Sequence, residues 1–220
     1  MNKIADKIKS AKGSFFANDN ISQYLEKNDL EKIKKNVEKA VVKLLDALVI
    51  DTENDHNTKD TAQRVAKMYV EEVFKGRYNE APKITDFPNA KDLDQIYTLG
   101  PITVRSACSH HLVPITGHAW IGIIPSDRVI GISKFSRLTE WVMARPQIQE
   151  EATVQLADLI EEKIKPKALA VIVKATHQCM TWRGVRDNGV SMTTSVMRGT
   201  FKEDEKARNE FLDIIKGQGF

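Results

Sequence analysis

The stretch ALAVIVKATHQC, residues 168–179, decides how the rest of the chain is read. Leu169, Val171, Val173 and Ala175 fall on alternate positions, so they share one face of a strand. Continued to the end of the stretch, the alternation carries His177 and Cys179 onto the same face and turns Gln178 away. A histidine and a cysteine then project together from the end of a strand anchored by buried apolar groups.

A second segment supplies matching chemistry. Cys108-Ser109-His110-His111 lies well upstream, and the two segments hold both cysteines and three of the five histidines. Cys108, His111 and Cys179 offer two thiolates and one imidazole. With water at the fourth position, that is the donor set of a catalytic Zn2+ site rather than a structural one. His110 and His177 would stand beside the metal as proton carriers. A single Cys-x-x-His is a weak signal, and the same residues also fit two buried small thiols with satisfied histidines. A disulfide is the poorer reading for a chain of this size without a secretory signal.

The remaining sequence bounds the setting. A chain of 220 residues makes one large domain or two small ones. The net charge of +3 is spread rather than gathered into a basic arm, so nucleic acid is not an expected partner. No apolar run is long enough to span a bilayer and the start does not read as a signal peptide, so the expected location is the cytoplasm.

The hydrophobic pattern divides the chain into an N-terminal helical region, 1–93, and a mixed domain, 94–220. Asn28 and Glu31 have capping-box spacing. Ile33, Val37, Val41, Leu44, Leu45 and Leu48 then form a helical stripe. A second helix is expected over 60–74, with Val65, Tyr69 and Val73 inward and Gly76 ending it. Strands are expected over 94–107, 117–124, 168–179 and 190–198. Helices are expected over 133–143, from Pro146 onward with Ile148, Ala152, Leu156 and Leu159 on one side, and over 201–216. Helix pairs beside antiparallel hairpins make this an α+β fold.

Several blocks in one order carry a family resemblance: RVAKMY at 64–69, CSHHLVP at 108–114, GISK at 131–134, RPQIQE at 145–150, HQCM at 177–180 and Arg183-Gly184. From about Leu30 to Phe211 the chain resembles GTP cyclohydrolase I, an enzyme of the tunnelling fold. The resemblance implies hydrolysis of GTP at C8, giving formate and 7,8-dihydroneopterin triphosphate. It implies zinc held by Cys108, His111 and Cys179. It also implies a homodecamer of two pentamers with active sites between subunits. Two departures stand out: Ser109 occupies a position normally held by glutamate, and Ala62-Gln63 replaces the proline and polar or basic residue common before Arg64. Ser109 leaves the ligand set intact but removes a carboxylate beside it, which bears on ligand orientation and substrate choice.

The resemblance also distributes roles. His177 would exchange a proton with guanine N7, and His110 would act near the ribose. Glu150 would accept hydrogen bonds from guanine N1 and the exocyclic amine, with Gln149 as its neighbour at the base. By spacing alone, Glu150 reads better as an acidic residue in a helix first turn, and the resemblance reverses that preference. Ser133, Lys134, Arg137, Arg183 and Arg64 match triphosphate-binding positions, although without the resemblance most read as solvated charges. No Walker motif is present, so GTP is a reactant rather than an energy source. Two other readings remain. One is a divergent tunnelling-fold enzyme acting on dGTP or another purine or pterin. The other is a non-catalytic, zinc-stabilised nucleotide-binding protein.

Overall fold

A computed structural model describes residues 3–220. The chain forms two compact units, Met1–Glu80 and Ala81–Phe220. The division falls before the change in pattern at residue 94, because a short strand β1 (Asp86–Pro88) pairs with β4 (Arg128–Ile130) and draws residues 81–93 into the second unit.

The first unit contains α1 (Lys3–Ser10), α2 (Asp29–Ala47), α3 (Thr61–Lys67) and α4 (Lys75–Tyr78). The α2 stripe is narrower than its sequence suggests. Val41 and Leu45 are buried against Ala62, whereas Leu44 and Leu48 are 56% and 59% exposed. One packed neighbour covers only residues four apart on a helix, and Leu44 and Leu48 lie off that line. The capping box does not form, since the Asn28 side chain makes no cap bond. The Asp29 carboxylate instead accepts from the Glu26 amide at 3.0 Å and from Lys32 at 2.9 Å.

The expected second helix is interrupted. A π turn over Met68–Val73 follows α3. The residues most buried there are Ala62, Ala66, Val70 and Phe74, one position later than expected; Val65, Tyr69 and Val73 are only half-buried. Gly76 lies inside α4 rather than ending a helix.

The second unit is built on a five-stranded sheet in the order β5-β2-β3-β6-β7. Its strands are β2 (Tyr97–Cys108), β3 (Pro114–Ile124), β5 (Pro146–Gln147), β6 (Ala168–His177) and β7 (Met192–Gly199). All pairs are antiparallel except β2 with β5. The α+β expectation holds, in the arrangement of a tunnelling-like fold.

Both faces of β6 are covered, which is why its run is apolar throughout. Leu169, Val171, Val173 and Ala175 join one core with Leu138 and Val142 of α5 (Ile132–Met143) and Leu156 and Ile160 of α6 (Gln149–Ile164). Ala168, Ala170 and Ile172 face a second core. That core contains Trp120, Phe201 of α8 (Thr200–Glu203), and Phe211 and Ile215 of α9 (Glu205–Lys216). The single C-terminal helix expected over 201–216 breaks at Asp204, whose carboxylate caps the Lys206 amide at 2.8 Å.

Two local departures shape the site. Pro146 does not start a helix: Pro146 and Gln147 pair in parallel with Ala107 and Cys108, and α6 begins at Gln149. Proline's missing amide is tolerated in this two-residue strand at the sheet edge. Strand β6 ends at His177, and Cys179 lies in a short helix, α7 (Gln178–Thr181). Cys179 therefore reaches the site through a helical turn, not through strand alternation.

Candidate metal and proton-transfer site

The site lies at one end of the sheet, where β2 delivers Cys108 and β6 delivers His177. Beyond Cys108 the chain turns tightly: the Leu112 amide donates to the Cys108 carbonyl at 2.8 Å, and the Cys108 amide donates to the Val113 carbonyl at 2.8 Å. The Ser109 amide donates to the Gln147 carbonyl at 3.0 Å, so β5 braces the turn from the side. Leu112 takes a φ of 55°, a left-handed conformation that lets the chain double back.

This turn and α7 bring three ligand-bearing residues together. Cys108, His111 and Cys179 each offer one atom, all within 4.8 Å of one another. Cys108 is buried, Cys179 half-buried and His111 exposed, so the cluster opens to one side. Burial and the neighbouring Cys108 thiol push the Cys179 thiol up, while the Arg183 charge pulls the other way. Two thiols crowded together in this way fit a thiophilic divalent cation, which would deprotonate both and neutralise the pair.

The flanking residues are also positioned. His110 is exposed, with Nδ1 3.7 Å from Cys108 Sγ. The Arg183 guanidinium donates to His111 Nε2 at 3.0 Å. His177 Nε2 lies 2.8 Å from Gln149 Oε1. Burial lowers the His177 pKa, and Glu150 opposes that shift.

The Gln149 contacts determine the His177 tautomer. Gln149 is 3% exposed, and its amide nitrogen faces the carbonyl oxygens of Val173 at 3.0 Å and Met192 at 3.1 Å, with Thr194 Oγ1 at 3.1 Å. Carbonyls only accept, so that end of the amide must be the NH2 group. The other end, Oε1, can then only accept from His177. The neutral imidazole accordingly carries its proton on Nε2 and leaves Nδ1 as the basic nitrogen. Thr153 supports this arrangement, with its Oγ1 2.7 Å from Thr194 Oγ1. The sequence reading named Gln149 but missed the role of Thr194 and Thr153. Their β7-to-α6 pairing has no sequence signature.

The nominated anion-binding residues are divided. Glu150 is exposed in the first turn of α6, next to Gln149. Ser133 and Lys134 begin α5, where Lys134 donates to the Lys83 carbonyl at 3.2 Å, and Arg137 is exposed one turn later. The last turn of α5 leads into β5 beside Cys108, which leaves Ser133 ~15 Å away along the helix axis. One chain therefore does not bring Ser133 and Lys134 onto its own cysteine cluster. Arg64 belongs to the first unit; its side chain is 72% exposed and lies 3.4 Å from Asp60.

Comparison with known proteins follows the same outline. The model of the GTP cyclohydrolase I family matches residues 37–216. The GTP cyclohydrolase 1 of Rhodopirellula baltica is 42% identical over 179 residues, covering 81% of this chain and 77% of that protein. The Yersinia enterocolitica protein of the same name is 36% identical over 87% of each chain. The Edwardsiella ictaluri one is 38% identical over 83% of each. A fainter likeness, at 17% identity and a TM-score of 0.37, links 55% of the chain to 97% of the chain in the crystal structure of the archaeosine synthase QueF-Like in the apo form. With most of its length matched by the family and by relatives of this identity, the chain belongs to the GTP cyclohydrolase I family.

Proposed function

We propose that the chain is a zinc-dependent GTP cyclohydrolase I, which hydrolyses GTP at C8 to formate and 7,8-dihydroneopterin triphosphate. The observation that carries this reading is the Cys108, His111 and Cys179 cluster at the same sheet end as a histidine of defined tautomer. Cys108, His111 and Cys179 would hold the metal. When bound, zinc supplies Lewis acidity and a water of lowered pKa.

The chain's own residues do the rest. His177 takes up a proton at Nδ1 and delivers it to guanine N7, which makes C8 electrophilic; the Glu150 charge favours the imidazolium that this requires. Gln149 holds the ring by its Nε2 proton, so in this reading it positions His177 rather than contacting the base. Glu150, exposed at the start of α6, accepts from guanine N1 and the exocyclic amine. Two waters are consumed, one in opening the ring and one in freeing formate, and one is lost when the pterin ring closes. His110, beside Cys108 and exposed, serves proton transfer at the ribose.

The triphosphate falls to Arg183, Ser133, Lys134, Arg137 and Arg64. The separation of Ser133 and Lys134 from Cys108 supports a site shared between subunits, where α5 of one chain serves the metal cluster of another. The outer edge of β7 and most of β2's outer edge lack a strand partner among the described residues, which favours assembly through sheet edges. A homodecamer of two pentamers suits both observations. Among the described residues no helix is long and apolar enough to cross a membrane. The free thiols of Cys108 and Cys179 suit a reducing cytoplasm.

Ser109 favours one second reading, in which dGTP or another purine is the better substrate, because the site lacks the family's carboxylate at that position. Zinc-loaded protein incubated with GTP, dGTP and ATP in parallel tests both. Formate and a pterin that fluoresces after oxidation are expected from GTP. Turnover of dGTP alone would move the substrate assignment, and turnover of none would leave a nucleotide-binding protein.

A further inference from the structure

The sheet face opposite the cysteine cluster is only half covered. Helices α8 and α9 pack on Trp120, Ala168, Ala170 and Ile172. Beyond them the same face opens into a groove of about 540 Å³. Two adjacent rungs of the ladder form its floor. Thr103 pairs with His118, which pairs with Lys174; Arg105 pairs with Thr116, which pairs with Thr176.

Three features of this floor point to an anion. No aspartate or glutamate lines the groove, and Arg105, His118 and Lys174 have no carboxylate partner among the described residues. His118 and Lys174 are directly opposite one another, a cross-strand placement that is unfavourable whenever both are charged. Threonine hydroxyls complete a surface rich in donors within a concave, cationic recess.

We propose that this groove is a second ligand site, separate from the catalytic centre, for a multiply charged oxyanion of the phosphate or phosphate-ester class. Arg105 and Lys174 supply the charge, and Thr103, Thr116 and Thr176 supply hydroxyl donors. Arg105 and Cys108 project from opposite faces of β2, so the two sites are distinct.

Calorimetric titration of zinc-loaded, assembled protein with tripolyphosphate tests the proposal, with inorganic phosphate and ATP as parallel arms. Two classes of site per chain are expected. Arg105→Gln/Lys174→Gln should weaken one class at least tenfold while kcat and KM for GTP stay within twofold. Lys134→Ala/Arg183→Ala should weaken the other. If that second variant changes nothing, the substrate-phosphate assignment fails and the groove stands. Thr116→Val, which keeps its shape, is the milder probe if the double variant does not fold, and a several-fold loss is expected. The tightest of the three ligands tells free phosphate, polyphosphate and nucleotide apart. A single class abolished by Lys134→Ala/Arg183→Ala, or a second class indifferent to both Arg105→Gln/Lys174→Gln and Thr116→Val, overturns the proposal.

Discussion

Replacing Gln149 tests how the site sets its proton carrier. Gln149→Met keeps most of the side-chain volume but removes both ends of the amide. The Val173 and Met192 carbonyls and Thr194 lose a donor, and His177 loses the acceptor for its Nε2 proton. At ~1 kcal/mol for each buried hydrogen bond, and with little cavity to add, the fold should lose about 2–4 kcal/mol. The catalytic effect is separate. Losing one well-formed contact frees the imidazole to change tautomer and tilt, a cost of ~1.4–2.8 kcal/mol in the reacting geometry, or about 10–100-fold in kcat. KM for GTP should move less, because the triphosphate and guanine contacts lie elsewhere. Formate release by zinc-loaded protein gives kcat and KM. Nitrogen-15 spectra of labelled histidine give the tautomer, with Nε2–H expected in the parent and a mixture in the variant. A folded, zinc-replete Gln149→Met protein with parental kcat would refute the positioning argument.

Other substitutions separate metal, chemistry and assembly. Cys179→Ala should lose most of the zinc measured by elemental analysis, whereas His177→Ala should keep it and lose most GTP turnover; full zinc in the first would sink the ligand assignment. Mixing inactive Cys179→Ala and Lys134→Ala chains under exchange conditions should restore partial activity, since some interfaces would then pair an intact metal cluster with an intact Lys134. No recovery in heteromers confirmed by native mass spectrometry would count against a shared site. Gly122→Ala would place a Cβ 2.5 Å from the Phe211 ring, so α9 must shift, at a cost of about 1–3 kcal/mol in a denaturant melt. An unchanged midpoint would show that this packing is looser than described.

The cysteine and histidine cluster was legible because its chemistry depends on residue type. Two cysteines and a histidine are scarce, and their identity alone suggested one donor set. The apolar run of 169–175 was enough to establish β6, although alternation marks only one of its two buried faces. The errors arose where local pattern competes with tertiary contact. The sequence of 146–150 looks like a helix start, yet pairing with Ala107 and Cys108 makes Pro146 and Gln147 a strand. Period two does not reach Cys179, because the chain leaves the sheet after His177. Leu44 and Leu48 fit a helical stripe, but a stripe is buried only as far as a neighbour covers it.

By itself the sequence determined what the chain can hold and which family it resembles: thiolate and imidazole donors, a buried strand to carry them, and matched blocks in one order. Those follow from side-chain chemistry and local period, which do not depend on distant partners. Only the tertiary structure decided which nitrogen of His177 is free. That depends on the Val173 and Met192 carbonyls, from two strands, orienting one amide. It also decided that Ser133 and Lys134 lie a helix length from Cys108, and that Arg105, His118 and Lys174 gather on the opposite sheet face. Register and helix direction set these separations, and both are fixed by contacts between residues far apart in the chain.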